Sequence, residues 1–283
     1  MRKIAVLGAG KMGAGIAQVA SQGGYSVILR DLQMGLVNVG LQTIENNLDK
    51  EIKKGNIEIP QKQQIMGRIR GTTDLAELSD VDLVVEAVVE NIAIKKQIFA
   101  ELDNICAPHT LLATNTSSLS ITEIASVTKN PERVLGMHFF NPVPSVKLVE
   151  LVKGIETTDE IICKAKSFVT NIDKKHVVVK KDSPGFLVNR LLVPYLNEAI
   201  FIYAEGIASK EDIDTAMKLG AGLPQGPLEL ADIIGLDTLY SEVLALYNEF
   251  KDPKYRPHPL LSTMVRGGYI GRKSGKGFYN YSD

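Results

Sequence analysis

Cysteine is scarce. Cys106 and Cys163 are the only two in 283 residues, too few to staple a fold and without metal-site spacing, so a reduced, cytoplasmic setting is expected. Neither sign of charge is in excess: 32 Lys and Arg stand against 33 Asp and Glu, a net charge of -1. That balance argues against nucleic acid or an acidic membrane surface as the main partner. No uncharged apolar stretch reaches the roughly 18 residues that span a bilayer. Met1-Arg2-Lys3 runs straight into an apolar segment, so no secretory leader is expected and the Asn115-Thr116-Ser117 glycosylation pattern is read as accidental. Internal repeats, low-complexity tracts and metal-ligand clusters are also missing. What remains is a length and an apolar content that suit two ordinary domains.

The organising stretch is Ile4-Ala5-Val6-Leu7-Gly8-Ala9-Gly10-Lys11-Met12-Gly13-Ala14-Gly15. An apolar run breaks into spaced glycines and then into the Ile16, Val19, Ala20 stripe, which reads as strand, phosphate loop and helix start. Gly8 permits the turn, Gly10 lets backbone N–H groups approach a pyrophosphate, and Gly13 lets helix and strand pack closely. The positive end of the helix faces the anion. A second strand, Val27-Ile28-Leu29, ends at Arg30-Asp31, where an acid holds a ribose hydroxyl pair. Such an acid repels a ribose phosphate, so NAD is expected in preference to NADP.

Strands then alternate with helices. The spacing predicts a helix over 35–54 with Leu36, Leu41, Ile44, Leu48 and Ile52 inward, another over 61–69, and a short strand near Gly71. Lys50 and Lys54 share a face of the first, as a phosphate-binding pair or as a solvated basic helix end. Val81 to Val89 reads as a buried parallel strand whose end carries Glu86 and Glu90. A helix over 94–105, a strand at Leu111-Leu112-Ala113 and a helix over 121–127 follow, with Ser117 and Ser118 as its cap or as ligand-facing groups. Val134 to Phe140 is a strand ending in His138 and Asn141. Val146 to Val152 is expected to bring Glu150 back along it, before a helix over 159–171 and a strand over 177–179. This pattern predicts an α/β fold, a doubly wound, mostly parallel sheet. Lys180-Lys181-Asp182-Ser183-Pro184-Gly185 is linker-like, and beyond it only helices are expected: 186–204, 212–219, 227–250 and 259–266. The domains are therefore placed at 1–183 and 184–283. The first of these helices is apolar around much of its circumference, which suits an internal core and a subunit interface. The Gly271-to-Gly277 stretch fails as a P-loop on spacing.

Gly136-Met137-His138-Phe139-Phe140-Asn141-Pro142-Val143-Pro144 with Lys147-Leu148-Val149-Glu150 resembles the signature of the L-3-hydroxyacyl-CoA dehydrogenases. Ala113-Thr114-Asn115-Thr116-Ser117-Ser118, Asp182-Ser183-Pro184-Gly185-Phe186-Leu187-Val188-Asn189-Arg190 and Gly226-Pro227 extend the resemblance over nearly the whole chain. It implies a Rossmann domain followed by an all-α domain that forms a homodimer, and a reversible NAD-linked oxidation of a 3-hydroxyacyl-CoA. An imidazole suits the proton left by hydride removal. The resemblance gives His138 that task, with Glu150 fixing its tautomer, and has Ser117 and Asn189 hydrogen-bond the reacting oxygen. It assigns Gly8, Gly10 and Gly13, with Lys11 and Met12 between them, Asp31, Glu90, Lys95, Ser117, Asn141 and Lys273 to the cofactor. Lys50 and Lys54 fall to the coenzyme A phosphates. Rival readings are a dehydrogenase of 3-hydroxy acids free of coenzyme A and a non-catalytic crystallin-like NAD-binding protein.

Overall fold

The computed structural model describes residues 1–281. The chain divides between Ser183 and Pro184 into two compact units.

The first unit is an eight-stranded sheet with helices between its strands. Its elements are β1 (Lys3–Leu7), α1 (Lys11–Gln22), β2 (Ser26–Arg30), α2 (Met34–Lys53), α3 (Ile59–Gly67), β3 (Ile69–Thr72), β4 (Leu83–Glu86) and α4 (Ile92–Ile105). They continue with β5 (Leu111–Thr114), α5 (Ile121–Ala125), β6 (Val134–Phe139), β7 (Leu148–Lys153), α6 (Asp159–Asn171) and β8 (Lys175–Val179). The strand order is β3-β2-β1-β4-β5-β6-β7-β8, and every pairing is parallel except β6 with β7. The order reverses between β1 and β4, and an open α/β sheet binds ligands at the carboxyl ends of the strands beside that point. Val6, Leu29, Leu83, Ala113, Leu135 and Leu151 belong to one buried cluster covered by α1, α2 and α6.

Three local expectations give way. The apolar run expected to be strand from Val81 to Val89 forms ladder only over Leu83–Glu86, because the chain beyond it turns away to build the loop that carries Glu90. On α2 it is Val37 and Gly40 that are buried, while Leu36 is exposed; a polar residue such as Gln42 gives no hint which of two adjacent apolar residues faces in. The cap of α5 is neither Ser117 nor Ser118 but Ser120, which accepts from the Glu123 N–H at 3.1 Å. Asp182 secures the same turn, accepting from Ser120 Oγ at 2.6 Å and from the Thr122 N–H at 2.8 Å.

The second unit is helical: α7 (Val188–Ala204), α8 (Lys210–Gly220), α9 (Pro227–Ile234), α10 (Leu236–Phe250) and α11 (Pro259–Arg266). Leu196, Ile200, Leu228, Leu236, Leu239 and Leu261 form its core. The single helix expected from Pro227 to Phe250 is two. Gly235, at φ 102°, turns the chain in a conformation open to glycine, while the apolar periodicity runs on across it. Two buried carboxylates tie this unit together. Asp214 accepts from the Leu228 and Glu229 N–H groups at the start of α9, at 2.8 and 3.0 Å. Asp232 accepts from the Phe278 and Tyr279 N–H groups at 3.0 and 2.9 Å, and burial pushes its carboxyl up.

In the first unit the buried pair Asp103–Arg133 (2.8 Å) joins α4 to the entry of β6. Burial pushes the Asp103 carboxyl up, but the Lys129 N–H, Arg133 and Asn130 outweigh it and hold it below the usual carboxylate range. A depressed folded pKa stabilises above the unfolded value, and that contribution disappears as pH falls through the folded one. Arg133→Met strands a buried carboxylate and is expected to cost about 3 kcal/mol in urea unfolding at pH 7. The loss relative to wild type should shrink as the pH drops below the ordinary carboxylate range; a loss that is small at pH 7 refutes this account.

Candidate active site

The turn from β1 into α1 is built for an anion. Gly8 has φ 93°, and a Cβ there would lie 2.5 Å from the Ala87 carbonyl oxygen; a Cβ on Gly13 would lie 1.7 Å from that of Gly8. These two glycines are therefore required by the packing of the turn itself. A Cβ on Gly10 would meet nothing within 4 Å. Gly10 is the N-cap of α1, no side chain caps it, and no acid occupies the first turn with Lys11 and Met12. The first N–H groups of α1 and an open space above Gly10 thus fit a pyrophosphate, on the chemistry of the donors present. At the end of β2 Asp31 accepts from the Ala9 N–H at 2.7 Å and the Leu32 N–H at 2.7 Å. The acid is held onto the glycine turn by backbone donors. The adjacent Arg30 turns its Nε to the Thr73 carbonyl at 3.2 Å.

The ends of β4 and β5 carry a chain of charges. Lys95 on α4 is 1% exposed and its Nζ lies 2.6 Å from Glu86 Oε1 and 3.4 Å from Glu90 Oε2. It is no surface helix charge. Glu90 Oε1 accepts from Thr116 Oγ1 and from the Ser117 N–H at 3.2 Å. Lys95, Glu90 and Ser117 are therefore brought together, through Glu86 and Thr116, which sequence reasoning did not assign. Glu86 was visible only as an acid punctuating an apolar strand.

One step along the sheet, β6 and β7 run antiparallel with His138 directly opposite Glu150. His138 Nδ1 lies 2.7 Å from Glu150 Oε2 and both residues are buried. A carboxylate offers only acceptors, so this geometry places the proton on Nδ1 and makes Nε2 the atom that can take another. The Phe140 ring lies beside the imidazole, 4.4 Å between centroids. Asn115 Oδ1 accepts from the Phe139 N–H at 2.8 Å, tying the end of β5 to the end of β6. Asn141 follows β6 and is exposed. The loop from there to β7 is held from below. The buried Lys174 donates from Nζ to the Val143 and Val146 carbonyls, both at 2.6 Å, and burial pulls its pKa down.

The remaining predicted positions are on other elements. Lys50 and Lys54 stand at the exposed end of α2, and Lys54 pairs with Glu51 at 2.8 Å. Asn189 and Lys273 belong to the second unit. Asn189 Nδ2 donates to Glu242 Oε1 at 3.2 Å, a partner 53 residues away that no local pattern signals. Lys273 Nζ meets Asp237 Oδ1 at 2.9 Å and Thr238 Oγ1 at 3.0 Å at the start of α10.

A glycine turn at the switch point of a parallel sheet, flanked by a polar carboxyl edge, is the dinucleotide-binding edge of an oxidoreductase. Residues 3–183 match the NAD binding domain of 3-hydroxyacyl-CoA dehydrogenase and residues 185–281 match its C-terminal domain. The chain belongs to the 3-hydroxyacyl-CoA dehydrogenase family. A 3-hydroxybutyryl-CoA dehydrogenase of Clostridioides difficile is 49% identical over 280 residues, 99% of each chain. The mitochondrial hydroxyacyl-coenzyme A dehydrogenase of Sus scrofa is 44% identical over 99% of this chain and 91% of its own. The crystal structure of (S)-3-hydroxybutyryl-CoA dehydrogenase from Ralstonia eutropha superposes with a TM-score of 0.97 at 44% identity, covering 100% of both chains.

Lys174→Met removes the donor that two loop carbonyls share. A cost of about 2 kcal/mol is expected, together with faster limited proteolysis within 142–147 at unchanged circular dichroism. Unchanged cleavage in that loop would show that the ammonium does not hold it.

Proposed function

We propose that the chain interconverts (S)-3-hydroxybutyryl-CoA and acetoacetyl-CoA, or a similarly short 3-hydroxyacyl-CoA and its own 3-ketoacyl-CoA, with NAD. The observation that carries the reading is the 2.7 Å contact between His138 Nδ1 and Glu150 Oε2 at the ligand end of β6. Relatives that are 44–49% identical over nearly their whole length and carry the 3-hydroxybutyryl-CoA name support the substrate. When bound, the nicotinamide supplies the hydride acceptor.

His138 acts as general base at Nε2, taking the proton of the 3-hydroxyl as the oxidation proceeds and returning it in ketone reduction. Glu150 accepts the Nδ1 proton, fixes the tautomer and stabilises the imidazolium. Ser117, set by its bond to Glu90, holds the reacting oxygen. For Asn189 the family pattern assigns the same hydrogen bond to substrate, and Glu242 fixes its amide. Gly8, Gly10, Lys11, Met12 and Gly13 receive the pyrophosphate, Asp31 the adenine ribose, and Glu90, Ser117, Asn141 and Lys273 the rest of the dinucleotide, with the buried Lys95 serving the cofactor through its pairing with Glu90. Lys50 and Lys54 face the phosphates of coenzyme A. The working form is a cytoplasmic homodimer joined through the helical domain, where Leu187, Leu191, Ile207 and Leu219 expose apolar side chains. Among the described residues no helix is long and apolar enough to cross a membrane.

Absorbance at 340 nm is expected to fall rapidly with acetoacetyl-CoA and NADH, and not with free acetoacetate. Decay with the free acid would transfer the assignment to a different substrate class, and no decay with either would end the catalytic reading. Glu150→Gln should lower kcat on the order of a hundredfold, with the NADH Kd within about twofold of wild type on the same footing; full turnover removes Glu150 from the mechanism. Because Asp31 is locked onto the turn and Arg30 onto Thr73, kcat/KM should favour NAD over NADP. A clear NADP advantage would reverse that preference.

A further inference from the structure

A carboxylate at the end of an interior strand is costly unless donors surround it. Glu86 is 0% exposed and donors meet it on both oxygens. Oε1 accepts from the Val88 N–H at 2.7 Å and from Lys95 Nζ at 2.6 Å, and Oε2 accepts from Thr114 Oγ1 at 2.7 Å. Complete burial keeps it from touching any ligand. Its effect is on what does reach the surface.

Lys95 stands between two carboxylates, nearer the buried Glu86 than Glu90, whose side chain is 41% exposed. The tighter share taken by Glu86 leaves Glu90 Oε1 engaged with Thr116 Oγ1 and the Ser117 N–H. Without the charge on Glu86 the ammonium would close onto Glu90 and draw its carboxylate off the Thr116–Ser117 turn. We infer that Glu86 is a positioning residue for the NAD edge, acting through Lys95 on Glu90 and on the turn that presents Ser117; this rests on the reading of that edge as the cofactor site. Hydrogen bonds and the Lys95–Glu90 ion pair join these groups in one chain from the interior of the sheet to its rim, the arrangement in which single changes propagate.

The test is a double-mutant cycle read by NADH fluorescence titration of the full-length protein. Glu86→Gln is expected to raise the NADH Kd about tenfold, the coupling expected of charges in one network, while kcat at saturating cofactor falls less than about threefold. In a Glu90→Gln background the same change should move the Kd less than about twofold, because its route to the turn is already gone. A tenfold effect in both backgrounds would mean general damage rather than action through Glu90, and overturns the inference, as does an unchanged Kd in Glu86→Gln. Thr114→Val, which keeps the charge and removes one donor, should raise the Kd about threefold. If Glu86→Gln does not fold, that variant decides, and an unchanged Kd in it rejects the inference. Wild-type protein that fails to bind NADH would remove the NAD reading as well, whereas normal binding with no effect of Glu86→Gln removes this inference alone.

Discussion

The pairing register of β6 and β7 sets the terms for the rest of the first unit. Glu150 sits in the interior of β7 with no exposure, and the ladder places it across from His138. A side chain on a loop can swing; one held by hydrogen bonds on both strand edges cannot. Since side chains alternate faces along a strand, a slip of one residue would set Val149 or Leu151 in its place and turn the carboxylate to the other side. The run of six parallel strands that ends in β6 fixes that strand, and the Lys174 ammonium fixes the loop that returns as β7. The proposed proton relay therefore inherits its rigidity from backbone pairing.

Buried carboxylates recur in both units, and each is matched by donors. Asp103 and Arg133 join a helix to the start of a strand, and Asp214 and Asp232 fasten a helix start and the closing segment of the helical unit. Glu86 and Glu150 differ in where they sit, at or near the ligand edge of the sheet. The first group holds chain segments in place; the second is the one proposed to shape what faces a ligand. A buried carboxylate alone does not distinguish these uses, and its position relative to the strand ends does.

Much of this was legible in the sequence. The glycine turn, the alternation of strands and helices and the change to helices after Gly185 all follow from local patterns, because period and turn chemistry are local properties. The return of a strand carrying Glu150 was also readable from pattern, whereas its pairing with His138 came from the family resemblance. The missed features depend on distant partners. Glu86 looked like a break in an apolar run because its donor Lys95 lies on the next helix, and Asn189 meets Glu242 only after α7 and α10 pack. Ser120 rather than Ser117 caps α5 because Asp182, some sixty residues later, completes that turn. Gly235 splits a helix whose apolar spacing continues without interruption.

The three glycines of the first turn are not alike in what they answer to. Gly8 and Gly13 are crowded by the protein's own backbone, whereas the space above Gly10 holds no protein atom. A descendant of this scaffold that had given up its dinucleotide would still have to keep the outer two in order to fold, and would be released from the middle one alone. In surveying divergent members of such a lineage, the residue at that single middle place is the informative marker of retained cofactor use.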